Sequence, residues 1–119
     1  MEYKIIYSNV YGIWWNSLSE AEQIDLRAIV KMLKTFGIDL GYPYSSKINH
    51  SPLKTKHMRE LRTKHKGKPY RILYAFDPKQ QAVLLLGGDK TGDKRWYVKN
   101  VPEADNIYQQ YLITLKGGK

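Results

Sequence analysis

Basic side chains are concentrated in one stretch of the chain, at a density suited to binding phosphate groups. Residues 54–71 contain eight Lys and Arg residues but one acidic residue, Glu60, and so carry +7 of the net charge of +9. The pI near 9.7 predicts a polyanionic partner: a nucleic acid, an anionic membrane or an acidic protein. A charged run is usually only a solvated face. Here the bases lie on predicted strands and a tight turn, with Tyr70 and Tyr74 between them, and this combination favours nucleic acid.

The residue types also limit the chemistry. Cysteine is absent, which excludes disulfides, thiolate nucleophiles and thiolate metal sites. The three histidines, His50, His57 and His65, show no zinc-like spacing with carboxylates. We therefore expect neither a metal ion nor another cofactor.

Length and hydropathy limit the number of domains and the cellular location. A chain of 119 residues with 42% hydrophobic residues is predicted to form one domain over residues 1–119. No apolar run approaches the length of a membrane span, and the N-terminus lacks a basic segment followed by an apolar one. These patterns predict a cytoplasmic protein without a membrane partner.

The basic stretch belongs to a predicted antiparallel meander. Three consecutive strands are expected, at Met58–Arg62, Tyr70–Phe76 and Ala82–Leu86. Gly67 with Pro69 indicates the first turn and Asp77 with Pro78 the second. The glycine pair at positions 87 and 88 is expected to end the third strand.

The remaining elements flank this meander. Alternation predicts a first strand at Glu2–Ser8, and the aromatic segment 10–16 is expected to be irregular. Ser19 and Glu22 form a capping-box pattern, and apolar residues at helical spacing predict a helix over Glu20–Phe36. A long connection, 37–56, follows it. A closing helix is expected from about Asn100 to residue 115.

This order of elements predicts an α+β fold. We expect two helices to pack on one face of a twisted, mainly antiparallel four-stranded sheet, leaving the other face open. Alternation along the strands then places Glu60, Arg62 and Arg71 on the open face. The prediction is a concave sheet surface lined by arginine.

Several motifs together resemble a known family. They are MRELR, then GKPYRILYAFD, then AVLLLGGDKTG with a following WY, then VPEADNIYQQYL. In this order, over roughly Leu18–Leu115, they resemble the RelE/ParE superfamily of toxins from type II toxin–antitoxin modules, in its HigB-like branch related to phage host-killing proteins. The resemblance implies a microbial ribonuclease-like fold and cleavage of mRNA on the ribosome. It also implies neutralisation by a cognate antitoxin, often one with a helix-turn-helix DNA-binding domain.

The resemblance carries over to particular positions. Arg62, Arg71 and Lys90 match basic residues of the family's site, and Tyr97 or Trp96 matches its aromatic residue. RelE has lysines on the strand where this chain has Met58 and Glu60, and an arginine where this chain has Thr91. These departures leave the general base open.

Metal-free RNA cleavage requires a proton acceptor, a cationic clamp and a proton donor. The substrate's own 2′-hydroxyl attacks the adjacent phosphorus, which creates a dianionic phosphorane. Arg62 and Arg71 are the expected clamp. The candidates for proton transfer are Glu60, His57, His65, Tyr97 and Lys90. Further RNA contacts are expected from Lys54, Lys56, His57, Arg59, Lys64, His65, Lys66, Lys68, Lys94 and Arg95.

Two other functions remain open. One is a ParE-like poison of DNA gyrase, which needs no catalytic residues. The other is a non-catalytic nucleic-acid-binding domain, including a decayed toxin that keeps only its antitoxin-binding surface.

Overall fold

The computed structural model describes residues 2–49 and 53–117, so His50 lies outside the described residues. Within these ranges the strands are β1 (Ile5–Tyr7), β2 (Ser45–Lys47), β3 (Arg59–His65), β4 (Lys68–Phe76) and β5 (Ala82–Asp89). The α-helices of the same ranges are α1 (Asn9–Asn16), α2 (Glu20–Phe36) and α3 (Trp96–Gly117). A short 3-10 helix at Gly37–Asp39 follows α2.

The strands form one mixed sheet in the order β1-β5-β4-β3-β2. β1 is parallel to β5, and the other neighbours are antiparallel. The α+β class is therefore confirmed, but the prediction of four strands is wrong. The missed strand, β2, lies inside the expected long connection and has the sequence Ser-Ser-Lys, which has little strand propensity. It forms because its backbone pairs with the edge of β3.

The predicted meander runs through β3, β4 and β5. Its first turn is the two-residue connection Lys66-Gly67, between the end of β3 and the start of β4. Both residues have positive φ, 50° and 80°, as a tight turn between twisted strands favours. The hairpin thus places the basic residues of β3 and β4 opposite one another.

The glycine pair does not end the third strand, because β5 continues to Asp89. A Cβ added to Gly87 would lie 2.4 Å from the Trp14 ring, and one added to Gly88 would lie 2.7 Å from the Trp96 ring. The two indoles belong to cores on opposite sides of the sheet. The glycines therefore let both rings approach the strand backbone.

α1 and α2 cover one side of the sheet, which we call the α2 face. Residues 10–16 were expected to be irregular, but they form α1, because the Ser8 hydroxyl accepts a hydrogen bond from the Tyr11 amide at 3.0 Å and caps the helix. Tyr11 is buried in the same core as the apolar stripe of α2. α2 has its predicted bounds, and the capping box of Ser19 and Glu22 is present.

α3 covers the opposite side, which we call the α3 face. The prediction that both helices share one face is therefore wrong. Alternation leaves apolar residues such as Leu73 and Val83 on this side too, and Val101 of α3 packs against them. α3 also begins at Trp96, before the expected Asn100.

The cover on the α3 face is incomplete. α3 packs on β4 and β5, so the part of this face above β3 is reached from solvent. The Arg62 side chain is 30% exposed there, and Lys64 is exposed. In the described part of the chain, no helix combines the length and apolar composition needed to cross a lipid bilayer.

Candidate active site

The register between β3 and β4 gathers charged side chains on the α3 face. Arg62 lies directly opposite Arg71. Glu60 shares their face because it is two residues before Arg62, whereas Leu61 between them belongs to the core on the α2 face. The sequence prediction that these three charged residues share one face is confirmed, but the prediction that this face is open is wrong at Glu60 and Arg71, which are both buried.

Glu60 is the buried acceptor of this group, with 5% of its surface exposed. Its Oε1 accepts a hydrogen bond from the Tyr97 hydroxyl at 2.6 Å. Its Oε2 accepts from Arg62 Nη1 at 3.0 Å and from the Ser46 hydroxyl at 2.7 Å. Because a carboxylate is costly to bury without partners, these bonds offset the cost of its burial and fix the side chain in one orientation.

Arg71 is 8% exposed, so the prediction that it lies on an open surface is wrong. It is buried because α3 covers this end of β4. Its Nε donates to the Tyr97 hydroxyl at 3.2 Å and lies 3.6 Å from Glu60 Oε1. Its Nη1 donates to the Tyr70 carbonyl at 2.9 Å. These contacts compensate the buried charge and hold the guanidinium in place.

Tyr97 lies between the Glu60 carboxylate and the Arg71 guanidinium. Burial and the hydrogen bond to Glu60 raise the pKa of its hydroxyl, and Arg71 only partly opposes this shift. Tyr97 therefore keeps its proton at neutral pH and donates it to Glu60 in a hydrogen bond. The same hydrogen bond fixes the orientation of the Glu60 carboxylate.

Lys90 lies at the end of β5, beside the same tyrosine. Its Nζ is 5.7 Å from the centre of the Tyr97 ring, and its amide donates to the Pro69 carbonyl at 2.9 Å. We call Glu60, Arg62, Arg71, Lys90 and Tyr97 the Glu60 cluster. It contains three cations and one carboxylate, and this excess of positive charge favours an anion such as a phosphate.

A pocket of about 340 Å³ adjoins the cluster. It is lined by Lys47, Ile48, Asn49, Glu60, Tyr97 and Val101. Among the described residues, no three His, Asp or Glu side chains are grouped closely enough to hold a metal ion. Lys47, Asn49, Glu60 and Tyr97 supply hydrogen-bonding groups to the lining of this pocket.

Three predicted site residues lie away from the cluster. His65 is buried on the α2 face, where its Nδ1 is 2.6 Å from Asp25 Oδ2. Arg59 donates from Nε to the Ser45 hydroxyl at 3.0 Å, and His57 lines a separate pocket with Arg59 and Phe76. Because odd-numbered residues of β3 point to the α2 face, Arg59 and His65 cannot join Glu60.

The other predicted RNA-contact residues are exposed. Lys64, Lys66 and Lys68 surround the β3–β4 turn, Lys54 and Lys56 precede β3, and Lys94 and Arg95 precede α3. The backbone of Lys54 is held by Asp105 of α3, whose carboxylate accepts its amide proton at 3.0 Å. Of these residues, Lys64 lies on the α3 face together with Arg62, because the two are separated by two positions on β3.

Sequence reasoning missed two residues that contact the cluster. Ser46 donates its hydroxyl to Glu60, and the guanidinium carbon of Arg62 lies 5.6 Å from the centre of the Tyr42 ring. Both come from the connection before β3. Their positions depend on the pairing of β2 with β3, which no periodic pattern in this segment predicted.

Comparison with known proteins identifies relatives over most of the chain. The family model described as Phage derived protein Gp49-like matches residues 13–109, which include the whole Glu60 cluster. The chain is 41% identical over 106 residues to the candidate toxin HigB3 of Mycobacterium tuberculosis, covering 88% of this chain and 90% of that protein. It is 32% identical over 108 residues to the candidate toxin HigB2 of the same organism. That match covers 89% of this chain but 53% of HigB2, so the chain spans about half of HigB2.

A solved structure shows the same fold. A mutant of the E. coli toxin RelE in the free state aligns with a TM-score of 0.51 and 13% identity, over 81% of this chain and 92% of that chain. The three-helix, five-stranded arrangement is thus a RelE-like α+β fold, as the sequence resemblance implied. The chain therefore belongs to the Phage derived protein Gp49-like family.

Proposed function

We propose that this protein is the toxin of a type II toxin–antitoxin module and that it cleaves translated mRNA on the ribosome, without a metal ion. The observation that carries this proposal is the Glu60 cluster, in which one buried carboxylate is held among three cations. The relatives named as toxins and the RelE-like fold support the same function.

The cluster contains the groups that the reaction needs. Glu60 takes the proton of the substrate's 2′-hydroxyl, the 2′ oxygen bonds to phosphorus, and the bond from phosphorus to the 5′ oxygen breaks. Lys90 donates a proton to the departing 5′ oxygen. The products are a 2′,3′-cyclic phosphate and a 5′-hydroxyl. Arg62 and Arg71 stabilise the charge on the phosphorane, and each fixed donor contributes about 3–4 kcal/mol.

The free protein holds its base in a resting arrangement. Arg62 occupies one side of Glu60 Oε2, and Ser46 and Tyr97 occupy other positions on the carboxylate. Since Arg62 is partly exposed, a bound phosphate attracts its guanidinium and frees Oε2 to accept the proton. A ribosome that presents the mRNA backbone in one orientation supplies the positioning for this exchange.

We infer a cognate antitoxin as the protein partner in the cytoplasm. The α3 face above β3 combines positive charge with solvent access, so an acidic or amphipathic segment of the antitoxin is expected to cover it and exclude mRNA. A helix-turn-helix DNA-binding domain on the antitoxin belongs to the same proposal.

The test is inducible expression in bacteria with mapping of mRNA 5′ ends within minutes of induction. Wild type is compared with Arg62→Ala and with the double variant Arg62→Ala/Arg71→Ala. Arg27→Ala is the matched control, because Arg27 also packs over an aromatic ring, 5.5 Å from the centre of Trp15, but lies on α2. A reporter mRNA without its start codon tests the need for translation.

The expected result is growth arrest with new 5′ ends confined to translated regions. The double variant should lose the new ends, Arg62→Ala should weaken them, and Arg27→Ala should retain them. Circular dichroism of the purified variants tests whether they are folded. Arrest without new ends, or equal cutting of the untranslated reporter, would overturn the proposal, and DNA damage on expression would favour the gyrase-poison alternative.

A further inference from the structure

Tyr42 is an exposed aromatic residue directly beside the Glu60 cluster. Its surface is 77% exposed, and the centre of its ring lies 5.6 Å from the guanidinium carbon of Arg62. Arg62 in turn donates to Glu60 at 3.0 Å. The ring therefore stands over the arginine that is proposed to meet the substrate phosphate.

The segment that carries Tyr42 is fixed at both ends. Leu40 before it is 5% exposed and belongs to the core on the α2 face. After it, the Tyr44 and Ser45 amides both donate to the Gly41 carbonyl at 3.0 Å, and the Arg62 amide donates to the Tyr44 carbonyl at 2.8 Å. Because the backbone is held in this way, presenting the ring to a ligand requires little further ordering.

The neighbouring Tyr44 provides a contrast within the same segment. Tyr44 is 45% exposed and lines a groove with α2 residues such as Ile29 and Met32. Tyr42 has no comparable place in a core, and its contact with Arg62 engages one side of the ring. Its high exposure leaves the other side available to a flat ligand.

We propose that Tyr42 is a stacking platform for a nucleobase next to the phosphate held by Arg62. Single-stranded nucleic acids bind where a cationic surface follows the backbone and an aromatic ring stacks on a base, and this contact tolerates any base sequence. The inference rests on the proposed function for the identity of the phosphate, and it adds a separate binding site for a base.

The test measures nucleobase binding without cleavage. Two fluorescently labelled DNA strands of six nucleotides are compared by fluorescence anisotropy. One strand carries six adenines, and the other is fully abasic. They carry the same phosphate charge, so the ratio of their dissociation constants reports on the bases alone. Neither has a 2′-hydroxyl, so neither is cut by the proposed reaction.

Wild type should bind the adenine strand more tightly than the abasic strand. Tyr42→Ala should reduce this preference by about 5- to 150-fold, the range for loss of one stacked base. Tyr42→Phe keeps the ring and should keep the preference, as should Tyr44→Ala. Arg62→Ala should weaken binding of both strands alike.

An unchanged preference in Tyr42→Ala, or no measurable binding of the adenine strand by wild type, would overturn the stacking site. This outcome is separable from the fate of the cleavage proposal, which the mapping of mRNA ends decides. A preference lost in Tyr42→Ala together with an absence of new mRNA ends would leave the base-binding site in place and remove the nuclease.

Discussion

The two faces of the sheet carry the same kinds of polar side chain in different proportions. On the α2 face, the carboxylates of α2 meet strand residues one to one: Asp25 pairs with His65 at 2.6 Å, and Glu22 accepts a hydrogen bond from Tyr70. On the α3 face, the strand carboxylate Glu60 is surrounded by several donors and cations.

The difference separates polar groups that stabilise the fold from polar groups that are able to bind a ligand. On the α2 face each carboxylate meets one strand donor, and this hydrogen bond satisfies the buried strand residue. In the Glu60 cluster the positive charge exceeds the negative charge, and Arg62 is partly open to solvent. Such a group gains stability when an anion arrives, so its free state is prepared for binding.

The strongest test of this comparison is to neutralise one carboxylate on each face. Glu60→Gln keeps the shape and hydrogen-bonding oxygen of the side chain but removes the proton acceptor. We expect mRNA cleavage on ribosomes to fall by about 10²- to 10⁴-fold, the usual contribution of a positioned base. The rate is measured by primer extension in single-turnover reactions.

Asp25→Asn is the matched change on the α2 face, and it should cleave at the wild-type rate. Equal losses in the two variants would show that the faces do not differ in the way we propose. A fully active Glu60→Gln would remove Glu60 as the base and leave it as a residue that holds Arg62 and Tyr97 in place.

Local signals explain which parts of the molecule were predicted. α2 was predicted with its bounds because the capping box of Ser19 and Glu22 and its apolar spacing lie within one segment. The meander was predicted because alternation and the turn at Gly67 are also local. The side on which α3 packs was not predicted, because an apolar stripe shows that a helix is buried but not against which face.

The same limit applies to the candidate site. Alternation along β3 and β4 correctly predicted that Glu60, Arg62 and Arg71 share one face. Residues that are directly opposite each other on paired strands, such as Arg62 and Arg71, point to the same side of the sheet. The burial of Arg71 follows from the position of α3 and was missed with it. Ser46 and Tyr42 come from a connection without periodicity, whose path is set by pairing with β3.

A second prediction concerns stability on the α2 face. Asp25→Ala leaves Nδ1 of His65 without its acceptor, in a residue that is 7% exposed. We expect the free energy of unfolding to fall by about 1–3 kcal/mol, the cost of an unsatisfied buried polar group. Urea denaturation measures this change. Asp25→Asn retains an acceptor and should lose less, and identical losses would show that the hydrogen bond does not stabilise the fold.

The smallest expected effect is a change in acid sensitivity, again on the α2 face. The pKa of Glu22 is lowered to about 2. The hydrogen bond from the Tyr70 hydroxyl is the largest cause, and the hydrogen bonds from Ser19 are the next. A carboxylate with a lowered pKa stabilises the folded state above its ordinary pKa of 4.5 and loses that contribution as the pH falls toward 2.

Tyr70→Phe removes the hydroxyl and keeps the ring in the core. Wild type should therefore lose stability more steeply than Tyr70→Phe between pH 4.5 and 2, when melting temperatures are recorded across this interval. Ser19→Ala removes a weaker cause and should flatten the curve less. Parallel curves for wild type and Tyr70→Phe would mean that Glu22 titrates independently of the strand. The α2 face would then be stabilised by its apolar core and by the Asp25–His65 pair. That pair would be the remaining example of one-to-one pairing with which the Glu60 cluster is compared.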